Sequence, residues 1–199
     1  SVEERCAVSN QANNRPALED NQQRRYGDPT TRPSRPGPRK SLGQHFLTDI
    51  RILNRIVSAA ELKPGDQVLE IGPGRGVLTR RLVEQAGRVI AVEMDQDLAA
   101  DLPLRLDNPS NLEVVHGDAR IIDLEPLVGG DTSYKVAANL PYYAANPIVR
   151  RLLESPPKPA LLVVMVQQEV AQSMLAKPGG MSILSVATQF YAKSSLVCN

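Results

Sequence analysis

Five short apolar runs limit what this chain can fold into. Residues 67–71, 88–94, 112–116, 134–138 and 160–166 are rich in Val, Ile and Leu, and most gaps between them are long enough for a helix. Helical spacing or length marks 49–62, 77–86, about 96–106, a segment opening near Asn146-Pro147, 168–176 and 182–191. In the first of these, Ile52, Ile56, Ala59 and Ala60 share one stripe, with Thr48 or Asp49 available as N-cap. Strands that are apolar on both faces and alternate with helices predict an α/β fold, a mainly parallel sheet with helices on both faces. Residues 195–199 read as the opening of a sixth strand.

Composition matters here mainly through its unevenness. The 199 residues carry 23 Lys+Arg and 22 Asp+Glu, a formal charge of +1. Residues 1–40 hold 8 basic and 5 acidic side chains, and the rest of the chain holds 15 and 17. Pro16, Pro29, Pro33, Pro36 and Pro38 interrupt the first 40 residues, which lack apolar periodicity. They are expected to form a disordered, basic, Pro-rich tail, with 41–199 as the folded domain. The longest apolar run, 160–166, has seven residues, against roughly 20 for a bilayer span. Cys6 and Cys198 lie near opposite ends without metal-ligand spacing, and His45 and His116 are the only histidines. The expectation is therefore a cytoplasmic protein with no disulfide scaffold, metal site or membrane segment.

Ligands of such sheets bind beyond the carboxyl ends of the strands. The first run leads into Gly72-Pro73-Gly74-Arg75-Gly76, where Gly72 and Gly74 allow close approach of a bulky ligand. The spacing is neither a dinucleotide fingerprint nor a phosphate-binding P-loop. Glu93 follows Gly72 by 21 residues, a distance at which a carboxylate can accept both hydroxyls of a ribose. The glycine loop and the acid together point to a nucleoside-containing cofactor, NAD or S-adenosylmethionine. Asp118, after the third run, can accept from an adenine amino group, with Met94 and Ala119 flanking the ring.

The fourth run ends in Asn139-Leu140-Pro141-Tyr142-Tyr143. The Asn139 side-chain oxygen and a neighbouring carbonyl, held outward by Pro141, can accept both protons of an exocyclic amino group. Tyr142 offers a face on which a base can stack. Such acceptors turn a nucleobase nitrogen toward an incoming carbon without a strong base.

Gly43-Gln44-His45-Phe46-Leu47, Glu70 to Gly76, Glu93, Gly117-Asp118-Ala119 and Asn139 to Tyr143 stand in the order and spacing of the ribosomal RNA adenine dimethyltransferases. The chain resembles their small-subunit branch over about residues 40–197. The resemblance implies a Rossmann-like S-adenosylmethionine-dependent methyltransferase fold. It also implies dimethylation of N6 on two adjacent adenines, in a hairpin near the 3′ end of small-subunit rRNA, during ribosome biogenesis. It places His45, Leu47, Gly72, Gly74, Glu93, Met94, Asp118, Ala119 and Asn139 at the cofactor, and Asn139, Leu140, Pro141 and Tyr142 at the target adenine. The implied partners are S-adenosylmethionine and the pre-30S particle, with the enzyme a monomer.

Two departures stand out. His45 sits where many relatives have Asn. The F-x-P-x-P-x-V segment, the last strand of the sheet and the C-terminal helical domain of relatives are not in this sequence, so a catalytic domain lacking its last strand is expected. Three other readings share some of these features. A large-subunit methylase of the macrolide-resistance type is compatible with the Asn-Leu-Pro-Tyr-Tyr run. A nicotinamide dehydrogenase has no use for that run. A non-catalytic RNA-binding or assembly module needs no methyl transfer.

Overall fold

The structure, a computed structural model, describes residues 5–11, 49–129 and 132–198. After strand β1 (Arg5–Gln11) come α1 (Ile50–Ala59), β2 (Gln67–Ile71), α2 (Val77–Val83), β3 (Arg88–Glu93), α3 (Gln96–Arg105) and β4 (Leu112–His116). The short α4 (Glu125–Val128) then leads to β5 (Tyr134–Asn139), α5 (Tyr142–Glu154), β6 (Leu161–Gln167), α6 (Gln168–Met174), α7 (Ile183–Tyr191) and β7 (Lys193–Cys198). The strands form one sheet of order β4-β3-β2-β5-β6-β1-β7, with every neighbouring pair parallel.

The central strands β2, β3, β5 and β6 are buried on both faces, as their composition requires. Leu69, Ile90, Val136, Leu162 and Val164 face α5, α6 and α7 through Ile148, Leu152, Met174 and Leu184. Val68, Val89, Ala137, Val163 and Met165 face Leu53 and Ile56 of α1 and Leu78 and Leu82 of α2. Beside them, Leu102 of α3 covers Ala91. Each large side chain buried in this way contributes about 1.5–3 kcal/mol against exposure. Asp49 is the cap that α1 uses, accepting from the Arg51 N–H at 2.8 Å.

The structure departs from the sequence reading in three places. Residues 5–11, read as part of a tail, form β1, in register with Leu161–Gln167 on one side and with β7 on the other. Cys6, Ala7 and Val8 are too few to give a periodic signal. What defines this strand is the pair of ladders it completes. The sequence marked six strands, and with β1 the sheet has seven, the predicted C-terminal strand being present as β7. The remainder of the predicted tail, along with His45 and Leu47, lies outside the described residues.

The third departure is the start of α5. Pro141 is its N-cap and Tyr142 its first residue, with Pro147 inside the helix. The Pro141 carbonyl accepts from the N–H groups of Ala144 and Ala145, each at 3.0 Å. Reading the helix start at Asn146-Pro147 gave proline its usual first-turn place, but α5 begins one turn earlier and accommodates it.

Candidate functional site

Four adjacent strands bring the predicted residues to one edge of the sheet. The chain runs outward from β2 to β3 and β4, then returns to β5 on the other side of β2. The strand order reverses there, and a reversal opens a crevice between β2 and β5. Gly72 continues β2, its N–H donating to the Val92 carbonyl at 2.9 Å. Across the crevice stands Asn139, the last residue of β5. A Cβ added to Gly72 would lie 3.8 Å from the Asn139 carbonyl oxygen. Gly72 has φ +69°, so its glycine identity reflects backbone conformation more than crowding. Gly76 is limited in both ways. Its φ is +80°, and a Cβ there would come within 2.6 Å of Leu102 Cδ1.

Glu93, at the end of β3, is only 4% exposed. Its carboxylate accepts the Gly74 N–H at 3.0 Å through Oε2 and the Asp95 N–H at 3.0 Å through Oε1. Asp95 in turn caps α3 by accepting from Asp97 and Leu98. Glu93 therefore ties the glycine loop to the start of the next helix. Beyond it, the Gly117 N–H donates to the Glu93 carbonyl at 2.9 Å, which places Asp118 alongside. The His116 ring lies 3.2 Å from the Met94 carbonyl oxygen. Ala119 is buried and Met94 half-buried.

The Asp118 carboxylate is paired with Arg120, whose guanidinium holds it below the ordinary carboxylate range. Arg151 of α5 donates to the Ala119 carbonyl at 2.8 Å and to that of Ile122. This joins the loop after β4 to the helix that follows Asn139. On the crevice's other wall, the Leu140 N–H donates to the Met165 carbonyl at 3.0 Å, fixing the backbone between Asn139 and Pro141. Tyr143, in the first turn of α5, is 43% exposed.

Three residues of this region were given no role in the sequence reading, Glu70 being named only as the start of the glycine motif. Glu70, next to last in β2, is 1% exposed. Its Oε2 and the nearby Thr79 Oγ1 have no hydrogen-bond partner among the described residues. Burial pushes the Glu70 carboxyl up to about 8, partly opposed by the neighbouring Thr79 hydroxyl and reinforced by the negative Glu93. Its place in an otherwise apolar strand was the visible signal. Arg120 could have been noticed as a charge two residues from Asp118. Arg151 gave no such signal, because only the fold brings it to the β4 loop.

Gly72, Gly74, Glu93, Met94, Asp118, Ala119 and Asn139 are thus brought to one edge, with Leu140, Pro141 and the start of α5 beside them. Glycines at a strand-to-helix turn, carboxylates at the end of β3 and just after β4, and an Asn-Leu-Pro turn across the crevice define the Rossmann-like methyltransferase class. The family profile for ribosomal RNA adenine dimethylases matches residues 37–199. The ribosomal RNA small subunit methyltransferase A of Dehalococcoides mccartyi is 46% identical over 159 residues, covering 80% of this chain and 55% of that protein. Among solved structures, a dimethyladenosine transferase from Plasmodium falciparum matches with TM-score 0.66 and 31% identity, over 78% of this chain and 55% of that one. The 23S rRNA methyltransferase ErmE matches with TM-score 0.60 and 33% identity, over 71% of this chain and 56% of that one. The chain belongs to the ribosomal RNA adenine dimethylase family. It spans about half the length of the curated relatives it matches.

Proposed function

We propose that this chain is the cofactor-binding and catalytic part of an enzyme that methylates N6 of adenine in small-subunit ribosomal RNA. Two adjacent adenines in a hairpin near the 3′ end of that RNA are the proposed targets. The observation that carries the reading is Asn139-Leu140-Pro141 at the end of β5, directly across the crevice from the glycine loop.

S-adenosylmethionine fits the residues present. It carries a net positive charge, and the crevice presents the carboxylate of Glu93 and that of Asp118 beside backbone exposed by glycine. When bound, it supplies an electrophilic methyl group. Glu93 is assigned to the ribose hydroxyls and Asp118 to the adenine amino group. Gly72 and Gly74 give the backbone room, and Met94 and Ala119 flank the base. His45 and Leu47 complete this assignment from the sequence resemblance.

For the target, the side-chain oxygen of Asn139 accepts one N6 proton and a backbone carbonyl accepts the other. The Pro141 carbonyl is already engaged as the first acceptor of α5, so the carbonyl acting with Asn139 is that of Leu140. Accepting both protons pulls the lone pair out of conjugation with the ring and aims it along the line of attack. No strong base is needed, because the proton can leave once the nitrogen is cationic. Tyr142 is assigned to stack on the target base.

Transfer of labelled methyl groups from S-adenosylmethionine to small-subunit particles lacking the modification tests the proposal. Label in the small-subunit RNA is expected. Label found only in large-subunit RNA favours the second reading, motivated by the likeness to the 23S rRNA methyltransferase ErmE. Particle binding without label points instead to a ribosome-assembly module. The pre-30S particle as partner, action as a monomer and a cytoplasmic location belong to the same proposal. Among the described residues, no helix is long and apolar enough to cross a membrane.

A further inference from the structure

Asp118, assigned above to the adenine amino group of the cofactor, already has a partner. Arg120 Nε lies 2.9 Å from Oδ1 and 3.0 Å from Oδ2, Nη2 reaches Oδ2 at 2.5 Å, and the Arg120 backbone N–H lies 2.9 Å from Oδ1. Both oxygens thus face N–H donors, the same polarity that an exocyclic amino group presents. The guanidinium carbon also stands 6.0 Å from the centre of the Tyr143 ring, at the outer limit of a cation–π contact. Tyr143 is in the first turn of α5, next to the proposed target-base stretch. Arg120 therefore has two available seats, a carboxylate on the cofactor side and an aromatic face on the target side. Arg151 anchors the loop backbone, while the Arg120 side chain is 40% exposed and can change seats without repacking the core.

We propose that Arg120 is an internal competitor for the cofactor's adenine subsite, seated on Asp118 in the free protein and displaced toward Tyr143 when an adenine amino group takes the carboxylate. The inference rests on the assignment of Asp118 to adenine. It extends that assignment, because cofactor binding then delivers a cation to the side of the crevice where the target base enters. A partly exposed ion pair is weak and screened by salt, so the competition has a few-fold effect that fades as ionic strength rises.

The test is calorimetric titration of the chain with S-adenosylhomocysteine and with S-inosylhomocysteine, which has a carbonyl in place of the amino group. Arg120→Leu is expected to bind the adenosyl ligand about 3–5-fold more tightly than wild type at low salt. The difference should close in 0.5 M salt (a value on the order of ten times the low-salt buffer), and the inosyl ligand should gain nothing. Adenosyl affinity that is unchanged or weaker in Arg120→Leu overturns the competition, as does equal tightening for both ligands. Asp118→Asn separates this outcome from failure of the underlying assignment. Weakening of the adenosyl ligand by about tenfold or more supports Asp118 as the acceptor. Unchanged affinity in Asp118→Asn removes both the assignment and the competition built on it.

Discussion

The two halves of the sheet are built to different rules. The half made of β4, β3, β2 and β5 ends in glycines with positive φ, a buried Glu93, an Asp118 paired with Arg120 and an Asn-Leu-Pro turn. It also encloses Glu70 with an unpaired oxygen. The half made of β6, β1 and β7 contains the longest apolar strand and a strand contributed by the N-terminal region, and α7 covers it with a capping box at its start. The first half gathers its exceptions at the strand ends and at Glu70, whereas the second joins the buried β6 to the more exposed β7, where Ser194 Oγ is a further buried polar atom without a hydrogen-bond partner among the described residues. Proteins break local rules chiefly where function requires it, and the strand-end exceptions of the first half support the site proposed there.

Glu70 gives the strongest test of that contrast. Its pKa is raised to about 8 in the folded protein from an ordinary value of 4.5. Between those values the folded state keeps a proton that the unfolded chain has released, so stability falls as pH rises through the window and levels off above it. The slope from this group is about 1.4 kcal/mol per pH unit at most, which accumulates to several kcal/mol by the alkaline end. Glu70→Gln keeps the shape and removes the titration. Urea unfolding from pH 5 to 8.5 should show a steep decline in wild type and a flatter profile in the variant. Equal slopes would mean that this carboxyl does not hold its proton in the folded state.

Asn139→Ala probes the same half through chemistry rather than stability. Loss of the side-chain acceptor should reduce methyl transfer about 10²–10³-fold, equivalent to about 3–4 kcal/mol in the barrier. Affinity for S-adenosylhomocysteine should fall far less, because Glu93 and Asp118 are untouched. Single-turnover transfer and calorimetry on the same preparation separate the two. Parallel loss of both would recast Asn139 as a cofactor ligand alone.

In the second half the corresponding test is Ala7→Pro. Ala7 pairs with Val163 of β6 and Ser195 of β7. A proline in an interior strand removes a ladder donor and should cost about 3 kcal/mol of stability. Cofactor affinity should be unchanged. If the unfolding midpoint does not move, residues 5–11 do not hold β6 and β7 together.

The same division decided what could be read from sequence. Glycine, carboxylate and Asn-Leu-Pro combinations are local signals, and in a parallel sheet each falls at a strand end, so the strand-end positions of Gly72, Glu93, Asp118 and Asn139 were all legible. β2, β3, β5 and β6 were legible because burial on both faces leaves mostly apolar runs, and the half-exposed β4 because Leu112, Val114 and Val115 stand between turn signals. β1 was not legible, because Arg5–Gln11 has only three adjacent small or apolar residues and is defined by partners more than 150 positions away. Pro147 concealed the first turn of α5 because proline ordinarily marks a helix start. Arg151 meets the carbonyls of Ala119 and Ile122 only after β4 and α5 have been placed, and no spacing rule anticipates a contact of that kind.

The smallest predicted effect tests whether the halves are independent. Ser182 caps α7: its Oγ accepts from the Ser185 N–H at 3.3 Å, and the Ser182 N–H donates to Ser185 Oγ at 2.5 Å. A further contact of 2.7 Å joins Ser182 Oγ to Ser173 Oγ in α6. Ser182→Ala removes the bonds made by its Oγ, keeps the backbone N–H bond to Ser185, and should cost about 1 kcal/mol, whereas Ser182→Gly, which suits a cap position, should cost only a few tenths. α7 packs against α5, the helix that begins at the proposed target-base stretch. If α5 is a rigid strut, it can transmit a change at the α7 cap to Pro141 and Asn139. If the halves are independent, denaturant stability will drop in Ser182→Ala with the affinity for S-adenosylhomocysteine and the transfer rate both preserved. A drop in transfer rate larger than the loss of stability would mean instead that the apolar half sets the geometry of the catalytic turn.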